Sequence, residues 1–170
     1  MAERKLTIIA TKGTLDWAYP PFILASTAAA LGMEVSIFFT FYGLNLLLKD
    51  TNKLKITPTA APDMPMKMPF GPKWLQKIDF GPKVPNVMWN IPFMDPICTT
   101  LMKKTIKNCG VASIAELREL CQEAEVKFLA CQMTVDLFGH DPSVFIDGVD
   151  FVGAATYFEE SSDATQSLFI

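Results

Sequence analysis

Lys5-Leu6-Thr7-Ile8-Ile9-Ala10, then Thr11-Lys12-Gly13-Thr14, then an apolar run from Trp17, then Val35-Ser36-Ile37-Phe38-Phe39: this opening decides the fold. Two short runs rich in β-branched and aromatic residues read as strands. The stretch between them reads as a helix over 19–31, because Pro20 and Pro21 suit a first helical turn and Gly32 stands where a helix stops. From Trp17 to Leu48 the only charge is Glu34, so hydropathy alone would flag a membrane span. The internal breakers favour a buried β-α-β unit instead, whose central elements are apolar all round. Such a unit implies a parallel sheet with right-handed crossovers.

Outward from that unit, residues 41–49 read as a second short helix opening after Thr40. Ser113 with Glu116 three residues on is a capping box, and Ile114, Leu117, Leu120, Cys121 and Ala124 mark one helix face. Residues 126–130 form a strand with Cys131 at its end, and 133–139 a short helix. A strand lies within 147–153, a helix over 154–163 and a closing strand over 166–170. This is a flavodoxin-like three-layer α/β fold: a five-stranded, mainly parallel sheet with helices on both faces, in one domain spanning 1–170.

The segment 51–108 departs from this pattern as an insertion within the domain. It holds nine of the twelve prolines and six of the nine methionines, with little regular periodicity. Nine lysines against Asp63, Asp79 and Asp95 make it +6, so the remainder is −9 within a total of −3. Phe70-Gly71-Pro72-Lys73 recurs as Phe80-Gly81-Pro82-Lys83, which reads as two similar turns. Positive charge, methionine and the aromatic residues Phe70, Trp74, Phe80, Trp89 and Phe93 suit an interaction surface, for an acidic protein, another copy or an anionic membrane surface. A lid packed on its own domain fits the same residues.

Composition excludes several classes. Half the 170 residues are hydrophobic and 19% are charged, which excludes a disordered chain. The acidic balance argues against nucleic acid as a partner. Four cysteines without a C-x-x-C pair suggest neither a disulfide framework nor a zinc site, so no metal is expected. The absence of a signal-peptide pattern leaves a reducing cytoplasm as the expected location. The apolar surplus favours a homo-oligomer.

In open α/β sheets ligands bind outside the carboxyl ends of the strands. Gly13 and Thr14, Thr40, and Cys131 with Gln132 and Met133 fall there and are the candidate site residues. A cysteine between a strand and a helix meets unpaired N–H groups that favour the thiolate, the nucleophilic form. A small, inert, buried cysteine fits the same position. Cys121 falls on an apolar helix face and reads as core. Cys98 and Cys109, in or beside the insertion, are candidate relay thiols. His140 precedes the turn signal Asp141-Pro142 and reads as a solvated turn residue. Thr11-Lys12-Gly13-Thr14 lacks the full glycine pattern of a nucleotide loop and reads as a plain turn.

Four segments together resemble the DsrE/DsrF-like family, in particular its long-insertion branch. They are Thr11-Lys12-Gly13-Thr14 with Pro20-Pro21; Phe38-Phe39-Thr40-Phe41-Tyr42-Gly43-Leu44; Gly110-Val111-Ala112-Ser113 with Val126-Lys127-Phe128-Leu129-Ala130-Cys131-Gln132-Met133; and Gly148-Val149-Asp150-Phe151-Val152-Gly153-Ala154. The insertion is left unmatched. The resemblance implies a sulfur-trafficking protein of dissimilatory sulfur metabolism. It implies sulfur carried on Cys131 as persulfide or thiosulfonate, as a sulfurtransferase or a stoichiometric carrier, and exchanged with TusA-like carriers or rhodaneses, without a cofactor. It assigns no role to Cys98, Cys109 or His140. The competing readings are a non-catalytic assembly subunit with an inert Cys131, and a flavin or nucleotide module using residues 11–14.

Overall fold

A computed structural model describes residues 4–56, 67–79 and 94–170. Five strands, β1 (Lys5–Ala10), β2 (Glu34–Phe39), β3 (Lys127–Cys131), β4 (Val149–Val152) and β5 (Gln166–Phe169), form one parallel sheet in the order β4-β3-β2-β1-β5. Successive connections step one way from β1 to β4, and the last returns across the sheet to seat β5 beside β1. The architecture is the flavodoxin-like parallel α/β layout that the alternation of strands and helices predicts.

Period-two alternation sorts the strand residues onto two faces. Ala10 pairs with Phe39 and Ile37 with Phe128, on the face covered by α1 (Leu15–Ala30). There Phe22 of α1 lies 6.0 Å from both the Phe39 and Phe128 rings, and all three are buried. Each such aromatic contributes roughly 1.5–3 kcal/mol through burial. The helix α4 (Ile114–Glu123) joins this layer, with Cys121 Sγ donating to Phe22 O at 3.5 Å. On the opposite face Phe38, Leu129 and Cys131 cluster with Tyr157, the one buried residue of α6 (Ala154–Glu160). The Phe38 and Tyr157 rings stack at 4.8 Å.

Two local expectations are corrected. The helix α1 begins at Leu15 rather than 19, so Pro20 and Pro21 lie inside it. Ala18 N–H already bonds Thr14 O at 3.0 Å, which starts the helix ahead of the prolines. Each proline removes one donor and crowds the carbonyl four residues back, on Asp16 and Trp17, both exposed residues in the first turn of the helix. In α4 the buried stripe is Ile114, Leu117, Arg118 and Cys121, whereas Leu120 and Ala124 are exposed. Arg118 is buried because it donates to Leu46 O at 3.1 Å and Leu48 O at 2.7 Å, closing the carbonyls at the end of the 3-10 segment Phe41–Leu47. Burial lowers the Arg118 pKa from its usual value, with Glu119 opposing.

The chain divides into two compact units, Met1–Leu54 with Ile114–Ile170, and Lys55–Ser113. The second contains α2 (Lys73–Gln76) and a 15-residue helix, α3 (Met94–Asn108), so part of the insertion is regular after all. Pro96 falls in the first turn of α3, where its missing N–H costs nothing. Asp95 and Lys107 complement the two helix ends, and Gly110, at φ +68°, closes the exit. Asn108 Nδ2 donates to Pro69 O at 3.0 Å and Lys104 lies over the Phe70 ring. Gly71, at φ +95°, makes the turn into α2. The second copy of that turn, Phe80 to Lys83, lies outside the described residues, as do Trp89 and Phe93. Phe70 and Trp74 are exposed. Among the described residues no helix is long and apolar enough to cross a membrane.

Candidate functional site

The segments after β1 and β2 are pressed together. Thr40 N–H bonds Ala10 O and Gly43 N–H bonds Thr11 O, each at 3.1 Å. A Cβ on Gly43 would stand 2.1 Å from Ala10 O, and one on Gly13 would stand 2.0 Å from Tyr42 O. These glycines are therefore needed for backbone approach. The space beside Gly13, which a phosphate loop would leave open, is filled by the Tyr42 carbonyl. Thr14 precedes α1 without a side-chain cap, and its Oγ1 is buried with no hydrogen-bond partner.

Cys131 is the last residue of β3 and the residue before α5 (Gln132–Phe138). It is 4% exposed. Three residues on, the wholly buried Thr134 places its Oγ1 3.3 Å from Thr40 Oγ1 and accepts from Phe41 N–H at 3.4 Å. As it stands the Cys131 sulfur makes no capping hydrogen bond, yet the donors around it suit the anion. Burial pushes the thiol pKa up, but the hydroxyl and N–H of Thr134, the Thr40 hydroxyl and the Met133 N–H outweigh it, and the pKa lies below its ordinary value. No charged side chain contributes to that shift.

The other cysteines differ. Burial pushes Cys121 up to about 11, in keeping with a core residue. Burial, with Asp95 adding to it, also pushes Cys98 upward. Cys98 is buried on α3 and Cys109 is exposed just beyond its end, both in the second unit.

Of the candidate residues, the structure brings Thr40 and the Met133 backbone to Cys131. The Met133 side chain is exposed instead. The Gln132 side chain bonds Asp136 Oδ1 at 2.7 Å. Gly13 permits the close approach of the Tyr42 carbonyl, and Thr14 stands before α1 with its buried hydroxyl unpartnered. His140 is not a solvated turn residue but half-buried between the Phe138 and Phe145 rings, at 6.0 and 5.7 Å. Thr134 is the participant that sequence reasoning missed. Its signal was the Cys131-x-x-Thr134 spacing, which sets a hydroxyl at the third helical position facing back to the preceding residue. Among the described residues no group of three His, Cys, Asp or Glu could hold a metal ion.

The chain is 55% identical over 170 residues, the whole of both chains, to "Sulfur carrier protein DsrE2" of Allochromatium vinosum. It is 32% identical over 174 aligned positions, covering 98% of this chain and 97% of the relative, to "Uncharacterized protein YrkE" of Bacillus subtilis. The crystal structure of the E. coli ychN protein superposes with a TM-score of 0.53 at 11% identity, over 98% of this chain and 99% of that one, a likeness of fold alone. The model of the DsrE/DsrF/DrsH-like family matches residues 2–169. By that match and these identities, the chain belongs to the DsrE/DsrF/DrsH-like family.

Proposed function

We propose that this protein carries sulfane sulfur as a persulfide on Cys131 and exchanges it with a partner thiol. The observation that carries the reading is the neutral ring of donors around one buried cysteine, Thr134, Thr40 and Met133, which favours the anion over the thiol. The name of the relative at 55% identity, a sulfur carrier protein, supports the same reading.

The exchange conserves atoms and electrons. The Cys131 thiolate attacks the outer sulfur of a donor persulfide. A new S–S bond forms to Cys131, the donor S–S bond breaks, and the donor leaves as its thiolate. Delivery is the reverse exchange with an acceptor thiolate. A persulfide anion would be held by the same donors that favour the thiolate. The partners this reading calls for are small TusA-like carriers or rhodaneses. Self-association and contacts made by the basic insertion belong to the same proposal, as does a cytoplasmic site of action.

Incubation with polysulfide, followed by intact mass under non-reducing conditions, tests the reading. The wild type should gain the mass of one reducible sulfur, mapped to the Cys131 peptide. Cys131→Ser should gain none while keeping its far-UV circular dichroism. A wild type that gains no sulfur, or a Cys131→Ser protein that loads equally, overturns it. Loading mapped to Cys98 or Cys109 would make one of those the carrier instead.

A further inference from the structure

We propose that Thr134 is a positioning residue for Cys131, its hydroxyl held by the Phe41 N–H and the Thr40 hydroxyl so that it donates to the reactive sulfur. This rests on reading Cys131 as the reactive thiol.

A threonine hydroxyl has one proton and two lone pairs. Phe41 N–H occupies one lone pair of Thr134 Oγ1, and Thr40 Oγ1 stands 3.3 Å away. With Thr40 donating into that contact, both acceptor sites of Thr134 are filled. Its single proton then has the Cys131 sulfur as its acceptor. Thr134 is wholly buried, so water cannot substitute for these partners.

Independent support comes from the backbone. Phe41 sits in the left-handed region at φ +48°. That conformation is an outlier for a bulky side chain and persists only where its surroundings over-determine it. Its ring is 48% exposed and meets the Phe138 ring edge-on at 6.4 Å, a partial packing only. Its backbone contributes the N–H on Thr134. A strained residue whose amide fixes a hydroxyl beside a nucleophile places the strain at the site itself.

The titratable groups on the elements around Cys131 leave the hydroxyls as the controlling influence. Tyr157 of α6 packs in the same cluster. Asp136 of α5 is engaged by Gln132, Glu34 of β2 and Glu160 of α6 are engaged by Lys127, and Asp150 of β4 is exposed.

The test is the pH profile of iodoacetamide alkylation, read on the Cys131 peptide by mass spectrometry so that the exposed Cys109 does not interfere. Thr134→Val keeps the shape of the side chain and removes its proton. It should move the midpoint upward by about one pH unit, which slows alkylation about tenfold at any pH below both midpoints. Thr134→Ser should restore the wild-type midpoint, which a purely packing role would not do. A folded Thr134→Val protein with the wild-type midpoint overturns the proposal. If Thr134→Val does not fold, Thr40→Val takes its place: a smaller upward shift supports the proposal and an unmoved midpoint overturns it. Sulfur loading is scored separately on the same proteins. A shifted midpoint in a protein whose wild type takes up no sulfur keeps the role of Thr134 and sinks the carrier reading alone.

Discussion

The two ends of one sheet face handle their polar groups in opposite ways. At the amino end, Lys5, whose side chain is only 9% exposed, meets Asp163 at 2.9 Å, Glu160 at 3.6 Å and Glu34 at 3.9 Å. Lys127 meets Glu34 at 2.8 Å and Glu160 at 2.6 Å. Two cations among three carboxylates tie β1, β2, β3 and α6 together. At the carboxyl end of the same face, Cys131 is surrounded by hydroxyls and amides, with no charged side chain acting on it. The difference teaches what each end is for. Full charges locked in pairs hold a structure in one state. Beside a sulfur nucleophile, a full positive charge would depress the pKa further and reduce intrinsic nucleophilicity with it; an attacking thiol works best with a pKa near ambient pH. Neutral donors supply the smaller shift.

The largest effect should come from breaking the carboxyl end mechanically. Gly43→Ala drives a Cβ into the Ala10 carbonyl, and backbone cannot step aside as a side-chain tip can. A loss of about 3 kcal/mol is expected in urea unfolding, at the upper end for overpacking. It should slow alkylation of Cys131 as well, because Thr40 and Phe41 move with the loop. A variant as stable as wild type would mean that the two loops are free to part.

A smaller effect is expected from breaking the amino end. Lys127 and both its partners are partly exposed, at 44%, 43% and 27%, so Lys127→Met should cost only about 1 kcal/mol after solvent screening. The pH dependence sharpens the point. The Lys127 hydrogen bond holds the Glu160 pKa below its ordinary value, with burial opposing. A carboxylate depressed in the folded state contributes stability above its unfolded pKa, about 4.3, and that stability is lost as pH falls through the folded value. The hydrogen bond to Glu160, then that to Glu34, raise the Lys127 pKa. Its contribution is therefore complete below about pH 10.4 and lost as pH rises through the folded value. Denaturant midpoints across pH should show both limbs in the wild type and flatter ones in Lys127→Met. The Cys131 alkylation midpoint should not move, because the two ends are separate. A moved midpoint would join them.

A comparably small effect on stability should come from a cysteine that belongs to neither end. Cys121→Ser replaces a buried thiol that donates to Phe22 O at 3.5 Å by a shorter hydroxyl, at a cost of about 1 kcal/mol. Alkylation of Cys131 and sulfur loading should be unchanged. A Cys121→Ser protein with impaired loading would show that the two cysteines are coupled.

Much of the architecture was legible because its signals are local. Short β-branched and aromatic runs mark strands, and Gly32 marks a helix end, wherever they stand in a chain. Where local signals compete, packing decides. Pro20 and Pro21 look like a helix start until the Ala18–Thr14 bond shows the helix already under way. Leu120 looks like core until packing turns the buried stripe to Arg118. The single histidine looks like a turn residue until two phenylalanines enclose it.

The site divides along the same line. From residue order one reads that a cysteine closes a strand, that a short helix follows it, and that the chain resembles the DsrE/DsrF-like family. These follow from residue order and from motifs of a few residues each. What surrounds that cysteine is set by the way the strands pair. Thr40 stands 94 positions before Thr134, and Phe41 stands 93 before it. They arrive together because β2 pairs with β3 in the register that sets Phe39 beside Ala130. A hydrogen bond between hydroxyls so far apart in the chain leaves no periodicity to read, since it depends on where the sheet delivers each strand end.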